Sequence, residues 1–324
     1  MRILKLTAET QNNILENLLK RSPNSYGEFE SRVNDIIQNV RERKDDAVFD
    51  YTYRFDGATI NAENILVTEE EIAEAYEKLP VEVLDVIRKA AENIRIYHEK
   101  QKQYSWFDSK PNGTMLGQKV TPLASTGVYV PGGKAVYPSS VLMNVIPAKV
   151  AGVGKIVMVT PPGKDGKVYA TTLVAAKEAG VDEIYKVGGA QAIAGLAYGT
   201  ESIPRVEKIV GPGNIFVTAA KKLVYGQVDI EFPAGPSEVL ILADSSANPE
   251  FLATDILAQA EHDPNASCFL VTDDEDLAIK ADEFVKQLTE VAPRREIIEE
   301  SLSKSGKIII TDTFEEAIHV TNEY

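Results

Sequence analysis

From Thr126 onward, short β-branched runs alternate with helical stretches, and this rhythm constrains the fold more than any other feature. Ile156-Val157-Met158-Val159, Ile184-Tyr185-Lys186-Val187, Ile209-Val210, Val239-Leu240-Ile241-Leu242, Phe269-Leu270-Val271 and Ile308-Ile309-Ile310 read as strands. Nearly continuous apolar strands separated by helices indicate a parallel sheet covered on both faces. The chain up to His98 reads as helical instead. Thr68-Glu69-Glu70-Glu71 is a capping box, in which the threonine hydroxyl and the glutamate three positions later satisfy orphan N–H groups. After Pro80, Leu84, Ile87, Ala91 and Ile94 recur at helical spacing, so one stripe of that helix faces a core. The break in texture near Thr126 and the Pro-Ala-Gly-Pro segment near Gly235 are the candidate domain boundaries.

At 324 residues the chain is long enough for two domains. Its formal net charge of −15, from 49 acidic and 34 basic residues, opposes binding to nucleic acid and to anionic membranes. No apolar run reaches the ~18 residues needed to span a bilayer, and the N-terminus has no apolar stretch of secretory length. Cys268 is the only cysteine. An intrachain disulfide is therefore excluded, and a cytoplasmic, reducing compartment is expected. Cys268 lies in an apolar run and reads as a small buried hydrophobe.

Chemistry concentrates between Ile209 and Pro264. Gly211-Pro212-Gly213-Asn214, Pro233-Ala234-Gly235-Pro236-Ser237-Glu238 and Gln259-Ala260-Glu261-His262-Asp263-Pro264 each fall where a strand hands over to a helix or a helix ends. The expectation is a site at the carboxyl ends of strands. Earlier, Gly127-Val128-Tyr129-Val130-Pro131-Gly132-Gly133 places glycines after a strand, with Ser139 or Ser140 as the expected cap of the next helix. Such glycines serve either a phosphate-bearing ligand or tight turns. The strict dinucleotide and P-loop fingerprints are both absent. Gln191 and Asn214 follow flexible strand ends and can each donate and accept hydrogen bonds. Asn214 reads equally as a helix cap. Gln259 and His262, spaced i, i+3, project from one helix face, and an amide oxygen with an imidazole suits a borderline metal such as zinc. Two ligands do not make a site, and a structural histidine at a helix end is the competing reading. His98 reads as a charge at a helix C-terminus. Ser237 has no histidine partner at a recognisable spacing, so a Ser-His-Asp triad has little support.

Taken in order and with their intervals, Gly127–Gly133, Tyr137–Ser140, Val187–Gln191, Val210–Asn214, Ala234–Glu238 and Ala258–Pro264 resemble histidinol dehydrogenase. The resemblance extends from the N-terminal helices to Tyr324. It implies an α/β fold of two Rossmann-like parallel-sheet domains, the second inserted in the first, plus an N-terminal helical segment. The implied division is a helical segment over 1–25, a discontinuous first domain over 26–127 and 236–324, and an inserted NAD-side domain over 128–235. The family oxidises L-histidinol to L-histidine through the aldehyde, with two NAD⁺ and a zinc ion, as the last step of histidine biosynthesis. Its members are homodimers. Position by position, Tyr129, Gln191 and Asn214 match NAD contacts, and Ser237 matches a substrate contact. Gln259 and His262 match two zinc ligands that also hold the substrate. No catalytic residue carries over, because the family's Glu-His proton-transfer pair lies in an Ala-Pro-Glu-His-Leu motif after the position of Tyr324. The other zinc ligands and a dimer-contacting domain also lie there. His319 is not a substitute. The resemblance therefore implies a truncated, poorly active or inactive chain. The alternatives are a non-catalytic NAD-binding paralogue and a dehydrogenase of different polyol specificity on the same fold.

Overall fold

The computed structural model describes residues 1–7, 10, 27–132, 136–233 and 237–324. The chain forms two compact units. One joins Met1–Ser25 to Gly235–Tyr324, and Tyr26–Ala234 interrupts it in chain order. The chain begins with strand β1 (Arg2–Lys5), so these four residues of the expected helical segment 1–25 are extended instead. Nearly all of the rest of that segment lies outside the described residues, as do Gly133 and Ala234–Pro236.

The unit Tyr26–Ala234 opens with helices α1 (Gly27–Arg43), α2 (Asp45–Asp56), α3 (Glu69–Lys78) and α4 (Val81–Glu99). An exposed antiparallel hairpin, β2 (Trp106–Ser109) and β3 (Met115–Gln118), follows. The βα series is then β4 (Ser125–Tyr129), α5 (Pro138–Val150), β5 (Lys155–Thr160), α6 (Ala170–Ala179), β6 (Glu183–Lys186), α7 (Gly189–Tyr198), β7 (Lys208–Val210), α8 (Ile215–Val224) and β8 (Asp229–Ile230). Its five strands are parallel, in the order β6-β5-β4-β7-β8. Successive side chains point to opposite faces. Val157 and Val159 join one core, while Ile156 and Met158 join another. That two-sided burial is why β5 reads as an unbroken apolar run.

Helices α1, α7 and α8 pack together on one side, and α4, α5 and α6 on the other. Val33, Ile37 and Val40 of α1 share a core with Ile193 and Val217. The segment 27–99 therefore clusters with the sheet that follows it, and the expected grouping of 26–127 with 236–324 differs from this division. The capping box at Thr68 is present in both directions, with bonds of 3.3 and 3.0 Å. Helix α5 starts one or two residues before the expected serine caps. Pro138 takes its first turn, where a missing N–H costs nothing, and Tyr137 is the cap residue.

The second unit adds β9 (Glu238–Ala243), α9 (Pro249–Ala260), β10 (Ser267–Thr272), α10 (Glu275–Val291), α11 (Arg295–Ser305), β11 (Lys307–Ile310) and α12 (Phe314–Glu323). Its four-stranded parallel sheet runs β1-β11-β10-β9, with Arg2 beside Lys307 and Phe269 beside the same lysine. Cys268 is fully buried in β10, and burial pushes its thiol up to about 12, so it is an inert core group as expected. Among the described residues, no helix is long and apolar enough to cross a membrane.

Candidate active site

In the five-stranded sheet, β4 and β5 step one way, and the chain then returns to place β7 on the other side of β4. The carboxyl ends of β4 and β7 therefore flank the point where strand order reverses, and a crevice for a ligand opens at such a point. The loops there approach closely. Gly211 has φ +110°, and a Cβ on it would lie 2.0 Å from the Tyr129 carbonyl oxygen. A Cβ on Gly188 would lie 2.5 Å from Pro161. Only glycine permits these contacts.

Three expected cofactor residues stand on this edge. Tyr129 ends β4 and is only 3% exposed; its hydroxyl accepts the Gly189 N–H at 3.2 Å. Burial pushes its phenol up to about 12. Gln191, in the first turn of α7, is fully buried, and neither its Oε1 nor its Nε2 has a partner. A buried amide left unpaired costs about 1–3 kcal/mol, so the site favours a ligand that both donates and accepts. Asn214 caps α8, its Oδ1 accepting from Phe216 N at 3.0 Å and Val217 N at 3.2 Å. The cap reading is correct, and the cap uses only the oxygen.

Sequence reasoning missed three charged groups on this edge. Asp56, at the end of α2, keeps one carboxylate oxygen buried without a partner, and desolvation pushes its carboxyl up to about 6. Lys221 of α8 donates to the Gly211 carbonyl at 3.0 Å and to Glu231 Oε1 at 2.5 Å. The same Oε1 accepts the Gly211 N–H at 2.9 Å. One signal was legible: Val217, Lys221 and Val224 form the inward stripe of α8, so a lysine stands where an apolar residue belongs.

In the other unit, the expected substrate and metal residues lie on the opposite kind of edge. Ser237 is exposed and immediately precedes β9. Gln259 is half-buried in the last turn of α9; His262 is exposed just beyond it, its N–H donating to the Gln259 carbonyl at 3.2 Å. Glu238 Oε1 accepts from Ser267 Oγ at 3.2 Å, and Oε2 accepts from Tyr324 Oη at 2.5 Å. All of these surround the amino ends of β9 and β10. The expected carboxyl-end placement thus holds for Gly211–Asn214 and fails for the other two motifs. A helix that leaves the carboxyl end of β9 must finish near the amino end of β10, which is where Gln259 and His262 sit. Their donor chemistry suits zinc, but their number falls short of a catalytic set. Among the described residues, no group of three or more His, Cys, Asp and Glu side chains could hold a metal. His319 is exposed on α12.

Two parallel sheets, one of them doubly wound with glycine loops at its reversal point, define a Rossmann-like two-domain α/β protein. The histidinol dehydrogenase family model matches residues 19–324. The chain belongs to this family of oxidoreductases. A histidinol dehydrogenase of Heliobacterium mobile is 51% identical over 309 residues, covering 95% of this chain and 72% of that protein. One of Geobacillus kaustophilus is 54% identical over 306 residues, covering 94% and 72%. The crystal structure of histidinol dehydrogenase from Elizabethkingia anophelis superposes with a TM-score of 0.92 at 35% identity, covering 99% of this chain and 73% of that one.

Proposed function

We propose that the chain takes part in NAD-dependent, zinc-assisted oxidation of L-histidinol to L-histidine, as a homodimeric cytoplasmic enzyme. The observation that carries the cofactor half is the fully buried Gln191 amide, unpaired at both polar atoms beside the glycine loops of a reversal point. Bound NAD would supply the two-electron acceptor and zinc a Lewis acid for orientation. Gln191 and Asn214 bind the dinucleotide, and Tyr129 braces the turn at Gly189 under it. Ser237 hydrogen-bonds the substrate, and Gln259 and His262 hold both metal and substrate. The resemblance assigns the proton-taking role to none of these groups. Residues 1–324 taken alone therefore bind zinc weakly and turn over slowly or not at all.

NAD titration of the wild type and Gln191→Met tests this reading. Saturable binding by the wild type, weakened by about tenfold in the variant with an unchanged or raised melting temperature, is expected, because an unpaired amide helps only when a ligand pairs it. Equal binding by the variant, or none by the wild type, sinks the cofactor half. Adding histidinol with zinc separates the remaining readings. With zinc supplied at saturating excess, a histidinol effect on NAD affinity that requires zinc supports the substrate half; no such effect at saturating zinc favours an NAD-binding protein without chemistry.

A further inference from the structure

We propose that Lys221 and Glu231 are positioning residues for the cofactor loop. They form an ion pair, the lysine fully buried and the glutamate half-buried, that holds both backbone polar groups of Gly211 and so sets the backbone that presents Asn214. The inference rests on the NAD reading of that loop. Lys221 is 1% exposed, and its Nζ reaches the Gly211 carbonyl and Glu231 Oε1, while the Gly211 N–H reaches the same oxygen. Three hydrogen bonds close a ring around one peptide unit on each side of Gly211. The other face of that glycine is stopped by the Tyr129 carbonyl. The loop is thus fixed from two directions, with Asn214 three residues on as the cap of α8.

Stability alone does not account for the pair. The desolvation of two charges commonly cancels their attraction, and apolar replacements of similar volume are often as stable. Here the cost is evident on both partners. Burial pulls the Lys221 ammonium below its ordinary value against the opposing pull of Glu231, and Glu231 Oε2 is buried without a partner. An apolar pair at these positions would fill the space but leave the Gly211 N–H and C=O unheld. What the charges add is one definite backbone geometry at the turn before Asn214, and fixing the groups behind a binding residue preserves its reach.

The test uses the chain of residues 1–324 as wild type, Lys221→Met, Glu231→Gln, the double variant Lys221→Met/Glu231→Leu, and Leu173→Ala. Leu173 lies in the core of the opposite helix layer, so its loss lowers stability without touching Gly211. The double variant carries no buried charge and keeps the experiment decisive if a single variant fails to fold. Amide exchange of a peptide over 209–216 and NAD affinity are both read. The pair variants are expected to exchange roughly fivefold faster in that peptide and to bind NAD about tenfold more weakly. Leu173→Ala should melt earlier with both readouts unchanged. Unchanged exchange in the double variant overturns the proposal. Faster exchange with unchanged NAD affinity also overturns it, because the pair then steadies a loop that the cofactor does not use. If the wild type binds no NAD, the cofactor reading falls, and the exchange result still decides whether the pair holds the loop.

Discussion

The two sheets place their motif residues on opposite edges and build those edges from different materials. In the five-stranded sheet, Tyr129, Gln191 and Asn214 stand at carboxyl ends, where strand order reverses and glycine loops let backbone press on backbone. In the four-stranded sheet, β9, β10 and β11 step in one direction with β1 beyond them, so consecutive strands make no reversal. There Ser237 immediately precedes β9, Gln259 and His262 end the crossover before β10, and side-chain contacts on that edge join Tyr324 to Glu238 and bring its ring 5.0 Å from Phe269. The reversal rule finds the first edge from topology. The reversal rule does not find the second: Gln259 and His262 lie there because α9 joins two parallel strands, and Ser237 because it precedes β9.

The largest expected effect tests the backbone-built edge. Gly211→Ala would force a Cβ against the Tyr129 carbonyl at a positive φ, and we expect a loss of about 3 kcal/mol or more in urea unfolding. A loss below about 1 kcal/mol would break the distinction between the two edges.

A smaller effect belongs to Asp56. Its carboxyl rises from 3.8 to about 6 because burial disfavours the charge, so the folded state holds the proton more tightly than the unfolded chain does. Stability contributed by the neutral group is complete below the unfolded value and is lost as pH rises through the folded one. Asp56→Asn should therefore gain on the order of 1 kcal/mol over wild type near pH 8, screening by solvent having reduced the penalty, and gain nothing near pH 3. A gain that does not vary with pH would show that the carboxylate is not the cause.

The smallest effect is expected at the amino edge. Tyr324→Phe removes the hydroxyl bonded to the exposed Glu238 and should shift stability by no more than about 0.5 kcal/mol. A loss several times larger in thermal unfolding would show that this edge is as tightly built as the other, and the comparison would need to be redrawn.

Much of the fold was legible because its causes are local. The strands announce themselves by apolar runs, the Thr68 box needs only four consecutive residues, and Asn214 caps the helix it precedes. The family motifs point to six candidate residues, of which Tyr129, Gln191 and Asn214 lie at or just after the carboxyl ends of strands in the five-stranded sheet. The errors have physical causes as well. Strand β1 is short and exposed, and it is a strand because β11, at the far end of the chain, offers it backbone hydrogen bonds. The grouping of 26–127 differs from the division by contacts because an amphipathic helix shows that it has a core-facing stripe without showing which core takes it. The edge chosen by Gln259 and His262 depends on the direction in which α9 crosses the sheet.

By itself, then, the sequence determined the alternation of strands and helices from Thr126 onward, the caps at Thr68 and Asn214, the glycine turns and the family, most of which rest on spacing and hydrogen bonding within a few residues. Only the tertiary structure decided which charges are buried. The stripe of α8 shows that Lys221 faces inward but not that Glu231 and the Gly211 turn close around it, Asp56 looks like a helix-end acid until burial raises its pKa, and Gln191 looks like a first-turn amide until packing removes every partner. Desolvation is a property of a site enclosed by distant segments, and no short stretch of chain encodes it.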